Sequence, residues 1–149
     1  MDEKLINVNL NVKDSNEIIE VLGRQLLESG FVKETYINAV LKREENLPTG
    51  LRTGSVNVAI PHTDVTHVNK SAIAISTLEK PVNFSLMEDP TKEAEVELVF
   101  LLAVKEPEEQ TKLLKSLMSI FQNKELLDQI KNAKNSRSLN ELLKSSLLL

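Results

Sequence analysis

The sequence contains no cysteine and no tryptophan, and aromatic residues make up only 3% of its 149 residues. Without cysteine, the chain cannot form disulfides, thiolate metal sites or a cysteine nucleophile. So few aromatic side chains argue against a stacking platform for single-stranded nucleic acid. The 18 basic residues are outnumbered by 22 acidic ones, which leaves a net charge of −4 and no electrostatic support for duplex binding. We therefore predict no nucleic-acid partner.

Long apolar runs are also missing. A transmembrane helix needs about 20 consecutive apolar residues, and no run in the chain approaches that length. The first residues, Met1-Asp2-Glu3-Lys4, lack the basic and apolar regions of a secretory signal peptide. These absences predict a soluble, cytoplasmic protein without direct membrane insertion. The length suits a single domain over residues 1–149.

Hydrophobic periodicity predicts strands and helices that alternate along the chain. Strands are expected over 6–12, 56–60, 71–78 and 98–104, with a short edge strand at 81–84. Helices are expected between Asp14 and Gly30, over 33–45, from Pro107 onward, and over 124–132 and 139–147. The inward face of the helix from Pro107 is predicted to hold Leu113, Leu114, Leu117, Met118 and Phe121. The pattern predicts an α/β (α+β) fold, with a mixed sheet of about five strands flanked by helices.

The chain has two histidines, His62 and His67, which lie close together after the predicted strand 56–60. A strand end presents a side chain to a surface loop, and such loops commonly carry function. The neutral form of an imidazole exposes a nitrogen lone pair near neutral pH, so it can attack phosphorus. His62, which directly follows the strand, is the candidate nucleophile, and His67 is a candidate supporting residue.

Donors for the oxygens of a phosphoryl group lie on both sides of His62 in the sequence. They are Arg43, Thr49, Thr63 and the backbone amides of the glycine-containing loop. Arginine suits this role because its planar fork can bind two oxygens at once. On spacing alone each residue also has a simpler explanation, since Arg43 suits a helix end and Thr49 suits a turn. A histidine after a strand is likewise more often packed or solvated than nucleophilic.

Metal and nucleotide chemistry find less support. Asp64 lies between the two histidines, but no clear third ligand accompanies them, so we predict no metal site. The sequence contains neither a P-loop nor a G-x-G-x-x-G motif, and it lacks a nucleophile elbow. We expect no cofactor beyond a phosphoryl group carried covalently on His62.

Several short runs together resemble the fructose/mannitol-type enzyme IIA family of the bacterial phosphotransferase system. The most specific of them is Ala59-Ile60-Pro61-His62. The others are Arg43-Glu44, Pro48-Thr49-Gly50, Lys80-Pro81-Val82-Asn83-Phe84 and the apolar run 98–104. The resemblance extends from about Ile18 to Phe121, with the runs in the order and at the separations typical of the family.

The resemblance implies a phosphotransferase with a phosphohistidine intermediate. His62 matches the histidine that accepts the phosphoryl group from the carrier protein HPr. Arg43 matches an arginine near that histidine, and Thr49 belongs to the loop beside it. The partners implied are HPr, an enzyme IIB that receives the group, and a membrane enzyme IIC that holds the sugar. The implied fold, a mixed sheet flanked by helices, agrees with the pattern of the sequence.

One position departs from the family pattern. Many members carry a second active-site histidine at the start of the helix after the central strand, where this chain has Gln110. Glutamine can form hydrogen bonds but cannot become cationic. The run Lys105-Glu106-Pro107 with Gln110 resembles the galactitol-type branch, which we prefer. Whether His67 or Gln110 contributes to the site is left open by the sequence.

The resemblance is also compatible with a regulatory role. In that alternative, phosphorylation of His62 would switch which protein is bound, because about two negative charges arrive on a recognition surface. In either role we expect an apolar rim around His62 for short-lived docking, with Leu47, Leu51 and Val65 as candidates.

Overall fold

The computed structural model describes residues 2–147. The strands are β1 (Ile6–Leu10), β2 (Gly50–Leu51), β3 (Val58–Ala59), β4 (Ala72–Ser85) and β5 (Glu93–Ala103). The α-helices are α1 (Ser15–Glu28), α2 (Tyr36–Asn46), α3 (Pro107–Phe121), α4 (Lys124–Lys131) and α5 (Ser136–Lys144). Two short 3-10 helices cover Glu3–Leu5 and Val65–His67.

The five strands form one sheet in the order β1-β4-β5-β3-β2. The β4–β5 and β2–β3 pairs are antiparallel, whereas β1–β4 and β3–β5 are parallel. The prediction of a mixed five-stranded sheet flanked by helices is therefore confirmed. No helix within residues 2–147 is both long enough and apolar enough to cross a lipid bilayer.

The central strand β5 explains the continuous apolar run at 98–104. Val99, Leu101 and Ala103 pack into the core beneath α1 and α2. Residues Leu98 and Phe100, which alternate with them, pack into the second core with α3, α4 and α5. Because both faces of the strand are covered, every position must be apolar, as predicted.

The predicted strand 71–78 and edge strand 81–84 are one continuous strand, β4. The prediction of two strands was wrong. It rested on Pro81, which lacks an N–H and is therefore expected on an edge strand. In the structure, the register between β4 and β5 shifts between Thr77 and Val82, and this irregularity accommodates the proline. The partner strand β1 pairs with β4 only as far as Leu78, so no ladder bond to β1 is lost at Pro81.

Several predicted boundaries also move: β1 ends at Leu10 instead of residue 12, β3 covers only Val58–Ala59 of the predicted 56–60, and the last helix spans Ser136–Lys144 instead of 139–147. The second helix begins at Tyr36 instead of residue 33, because Val32 forms an antiparallel bridge with Val68 and the Lys33 N–H donates to the carbonyl of His67 at 2.9 Å, which keeps this segment extended. Tyr36 is itself buried and donates its hydroxyl to the carbonyl of Leu102 at 2.6 Å, which fixes α2 against β5. Residues Gly50 and Leu51, for which no strand was predicted, form the short strand β2.

The strand β2 crosses close to the end of β4. A Cβ atom at Gly50 would lie 2.6 Å from the carbonyl oxygen of Ser85, so only glycine fits there. The carbonyl of Gly50 accepts from the N–H of Met87 at 2.9 Å. This close crossing brings the segment after α2 and the segment after β4 to the same end of the sheet as β3.

Candidate functional site

His62 follows the short strand β3, which lies between β5 and β2 in the sheet. The carbonyl of Pro61 accepts from the N–H of Leu102 in β5 at 3.0 Å. On the other side, the N–H of Ile60 donates to the carbonyl of Thr49 at 3.4 Å. The backbone before His62 is thus held between β5 and the segment after α2.

The ring orientation of His62 follows from one hydrogen bond. Its Nδ1 lies 2.8 Å from the backbone oxygen of Ile60. A carbonyl oxygen can only accept, so Nδ1 carries the hydrogen and donates. In the neutral ring, Nε2 therefore has the free lone pair.

Burial lowers the pKa of His62 below its ordinary value of 6.5. The charge of Arg43 also lowers this pKa, while the bond to Ile60 opposes the shift. The imidazole is consequently neutral at neutral pH. A neutral ring with a free Nε2 is the form that can act as a nucleophile.

Arg43 lies in the last turn of α2 and is half-buried. Its Nε is buried and has no hydrogen-bond partner among residues 2–147. Buried donors are nearly always paired, because an unpaired one loses its hydration without compensation. A buried guanidinium donor beside a neutral histidine is suited to receive an oxygen of an anionic group.

Glu44 and Thr49 are joined by two hydrogen bonds across the turn that follows α2. The Thr49 N–H donates to Glu44 Oε2 and the Thr49 hydroxyl donates to Glu44 Oε1, both at 2.8 Å. Burial raises the pKa of Glu44 to about 7, although both bonds and the charge of Arg43 oppose the shift.

Glu44 was not among the site residues predicted from the sequence. The available signal was an acidic side chain near the C-terminus of a helix, where the helix dipole disfavours negative charge. Such a placement indicates a specific partner, and here that partner is Thr49.

The cleft at this end of the sheet has a volume of about 430 Å³. Four of the predicted site residues line it, namely His62, Arg43, Thr49 and Gln110. Gln110 comes from the first turns of α3, so the cleft is closed by a helix from the other side of the sheet. Arg43 is the one permanently charged side chain among the residues that line the cleft.

The other two predicted site residues, Thr63 and His67, do not line this cleft. Thr63 is buried. The Nδ1 of His67 lies 2.8 Å from the hydroxyl of Thr35, and its Nε2 lies 3.9 Å from Oδ1 of Asp64. Within residues 2–147, no group of three or more histidine, aspartate or glutamate side chains is arranged to hold a metal ion.

The cleft has an apolar rim. The large hydrophobic side chains exposed on the described surface are Leu47 (55%), Met87 (42%) and Met118 (37%), and all three line this cleft. Leu47 was a predicted rim residue. Met118 was predicted to face the core and instead points outward, because it lies beyond the buried stripe of α3 formed by Leu113, Leu117 and Phe121. The other rim candidates, Leu51 and Val65, are half-buried and do not line the cleft.

The chain is similar to known proteins in both sequence and fold. The model of the family "Phosphoenolpyruvate-dependent sugar phosphotransferase system, EIIA 2" matches residues 1–146. The galactitol-specific EIIA component of Escherichia coli K12 is 29% identical over 130 residues, which cover 87% of this chain and 86% of that protein. The mannitol-specific enzyme IIA component of Staphylococcus aureus is 30% identical over 142 residues, 95% of this chain and 92% of that protein.

Two further matches concern regulation and structure. The transcriptional regulator ManR of Bacillus subtilis is 36% identical over 104 residues, which are 69% of this chain but 14% of that protein. Among solved structures, the complex of mannitol enzyme IIA with phosphorylated enzyme IIB from Escherichia coli matches with a TM-score of 0.82. The match covers 97% of each chain at 23% identity, so it speaks for the fold alone.

Proposed function

The chain belongs to the EIIA 2 family of the phosphoenolpyruvate-dependent sugar phosphotransferase system, and from this membership we propose that His62 is its phosphoryl carrier. In this proposal, His62 accepts the group from phospho-HPr and passes it to an enzyme IIB, which serves a membrane enzyme IIC. The reaction needs no cofactor, and its partners place the chain in the cytoplasm.

The single observation that carries the proposal is the hydrogen bond from Nδ1 of His62 to the carbonyl of Ile60. It fixes the tautomer in which Nε2 has the lone pair, and burial keeps the ring neutral. In the transfer step, Nε2 forms a bond to phosphorus while the phosphorus–nitrogen bond of the donor histidine breaks. The electron pair of the broken bond returns to the donor ring, and Nδ1 of His62 keeps its proton.

Phosphoryl transfer depends mainly on in-line positioning and on charge placed where the oxygens gather negative charge. Arg43 supplies that charge, since its buried Nε has no partner among the described residues. Gln110 can donate a hydrogen bond from the α3 side of the cleft but cannot add charge. Arg43 is therefore the residue that stabilises the negative charge on the phosphoryl oxygens.

The apolar rim of Leu47, Met87 and Met118 is the proposed docking surface for both partners. A carrier must release one partner before it meets the next, so a small apolar contact suits it better than a large one. The rim surrounds the cleft that holds His62, so a bound partner brings its own active site to Nε2.

For the sugar, we favour the galactitol-type branch. The match to the galactitol-specific component and the presence of Gln110 support this choice. The mannitol-specific relative has a similar identity, so the test must compare enzymes IIB of both kinds. Faster discharge of the phosphorylated chain by a galactitol-type enzyme IIB would support the assignment, and faster discharge by a mannitol-type one would overturn it.

A regulatory role is the second candidate, because a transcriptional regulator shares 36% identity over 104 residues with this chain. In that role, the phosphoryl group on His62 would change which protein binds to the apolar rim. Phosphorylation by HPr without discharge by either enzyme IIB would favour this candidate over transport.

The experiment that tests the main proposal is phosphorylation by phosphoenolpyruvate, enzyme I and HPr. We expect the native chain to acquire a label that is labile to acid and stable to base, as expected for phosphohistidine. The His62→Ala variant should remain unlabelled while its circular dichroism spectrum is unchanged. Labelling of His62→Ala at the native rate, or no labelling of the native chain, would overturn the proposal.

A further inference from the structure

Thr49 lines the cleft but uses the hydrogen of its hydroxyl in a bond to Glu44. The residue lies in the same lining as His62 and Arg43, yet only 3% of it is exposed. Its hydroxyl donates to Glu44 Oε1 and its backbone N–H donates to Glu44 Oε2. A hydroxyl has one hydrogen, so in this arrangement Thr49 has only lone pairs left for the cleft. Lone pairs would repel the oxygens of a phosphoryl group.

The arrangement depends on the protonation state of Glu44. An ionised carboxylate can only accept, so both donors must come from Thr49. A protonated carboxyl can keep accepting from the Thr49 N–H and donate its own proton to the Thr49 hydroxyl oxygen. The hydroxyl hydrogen is then free to turn towards the cleft. The same two residues thus have a second hydrogen-bonding arrangement that needs no movement of the backbone.

We propose that Glu44 is a positioning residue that controls the hydroxyl hydrogen of Thr49, taking up one proton from water when His62 is phosphorylated so that Thr49 can donate to a phosphoryl oxygen. This inference rests on the proposed role of His62 as phosphoryl carrier.

The electrostatics of the cleft favour this coupling. A phosphoryl group brings about two negative charges, and a nearby negative charge makes a carboxyl easier to protonate. The ionisable residues that line the cleft are Arg43 and His62, and Arg43 is the charged group that acts on Glu44 in the unphosphorylated state. Once a phosphoryl group engages Arg43, less of its positive charge is left to keep Glu44 ionised. Burial already brings the pKa of Glu44 to about 7, so the proton is available near neutral pH.

By linkage, the two events must favour each other to the same extent. Phosphorylation raises the proton affinity of Glu44, and protonation of Glu44 raises the stability of phospho-His62. The chain should therefore hold its phosphoryl group more firmly at lower pH, through Glu44 and Thr49.

The Glu44→Gln variant tests this coupling because glutamine mimics the protonated carboxyl. Its amide oxygen can accept from the Thr49 N–H, and its amide nitrogen can donate to the Thr49 hydroxyl. The measurement is the equilibrium of phosphoryl exchange with HPr, read as the ratio of phosphorylated chain to phosphorylated HPr. Native chain and variant are compared at the same pH, so the pH dependence of HPr itself cancels.

At about pH 8, where native Glu44 is ionised, we expect Glu44→Gln to shift the ratio about tenfold towards the phosphorylated chain, as one hydrogen bond to a charged group can. At about pH 6, where native Glu44 is protonated, native chain and variant should agree within about twofold. In a Thr49→Val background the tenfold effect should shrink to the smaller part that comes from removing the carboxylate charge, whereas in a Thr49→Ser background, which keeps the hydroxyl and guards against a folding defect, it should persist in full.

Equal ratios for native chain and Glu44→Gln at about pH 8 would overturn the inference while leaving His62 as the carrier. A tenfold effect that survives in the Thr49→Val background would also overturn it, because the hydroxyl would then not be involved. No phosphorylation of the native chain by HPr would overturn the proposed function itself, and the inference with it.

Discussion

The two histidines lie five residues apart, yet the nitrogen atoms of the two rings have different partners. His62 uses Nδ1 to donate to Ile60 and keeps the lone pair of Nε2 in a cleft that it shares with Arg43. His67 has Nδ1 in a hydrogen bond with Thr35 and Nε2 near the carboxylate of Asp64. Both residues are histidines of the same short segment, so neither residue type nor position in the sequence distinguishes them. The difference lies in the partners of the ring nitrogens and in the buried unpaired Nε of Arg43, and it favours His62 as the proposed phosphoryl carrier.

The regions around the two rings differ in the same way. Near His67, the side chain of Asp64 accepts from both the N–H and the hydroxyl of Thr66, which ties the 3-10 turn 65–67 together. Near His62, the Nε of Arg43 is buried without a partner among residues 2–147. A region with satisfied polar groups stabilises the fold, whereas an unsatisfied donor costs stability and is available to a ligand.

Among the substitutions that test this difference between the two regions, Arg43→Met is expected to have the largest effect. Removing the cation should slow phosphorylation of His62 by about a hundredfold, as the loss of one donor to a developing oxyanion typically does. Because the buried Nε has no partner to lose, the free energy of unfolding should stay the same or rise by about 1 kcal/mol. Rapid-quench labelling and thermal unfolding measure the two quantities.

The matched control is Arg137→Met, since Arg137 is exposed on α5. It should change neither the transfer rate nor the stability noticeably. If Arg43→Met lowered stability and transfer together, as loss of a structural ion pair would, the distinction between the two regions would fail.

The pH dependence of phosphorylation at His62 gives the next largest effect. The pKa of His62 lies below 6.5, chiefly because the ring is buried, so the ring is still largely neutral at that pH. Phosphorylation by HPr should therefore lose less than about half of its rate between pH 8 and pH 6.5 and fall steeply only below that range. The chain has two histidines, so NMR can follow both ring C2 protons, and the signal absent from His62→Ala should titrate below 6.5.

The same shift affects stability with a defined sign. As pH falls below 6.5, the unfolded chain takes up a proton at His62 before the folded chain does, so folding becomes less favourable. The contribution of the neutral buried ring to the free energy of unfolding is present above pH 6.5 and is lost as pH falls through the pKa of His62 in the folded chain.

Glu44 acts in the opposite direction, because its raised pKa makes folding less favourable as pH rises from 4.5 to about 7. The difference between native chain and His62→Ala isolates the histidine, and a difference that does not depend on pH would contradict the assignment.

The sequence predicted the parts of the fold and of the cleft that depend on local pattern. The alternation of β1, the apolar run of β5 and Pro107 at the start of α3 all have local signatures, and each element forms at the predicted place, although β1 ends at Leu10 and β5 begins at Glu93. The segment Ala59-Ile60-Pro61-His62 combines a strand end with a proline stop, so it indicated where the cleft would lie.

What the sequence could not predict depends on contacts between distant segments. The strand β2 has two residues, too few to show a period, and it forms by pairing with β3, a distant segment, while Gly50 lets it pass the end of β4. The positions of Glu44 and Met87 follow from how the turn after α2 and the segment after β4 meet. Met118 adjoins the apolar stripe of α3, and only the packing of that helix decides that it faces the cleft.

The smallest effect is expected at the second ring. Thr35→Val removes the hydroxyl that bonds to Nδ1 of His67, at an exposed site. We expect a loss of about 0.5–1 kcal/mol in the free energy of unfolding, the usual contribution of one such hydrogen bond. Phosphorylation by HPr should remain within about twofold of the native rate for both Thr35→Val and His67→Ala, because neither side chain lines the cleft. Denaturant titration measures the first quantity and labelling kinetics the second. A tenfold loss of transfer in either variant would mean that the turn at 65–67 supports His62 directly, and the two regions would then have to be treated as one site.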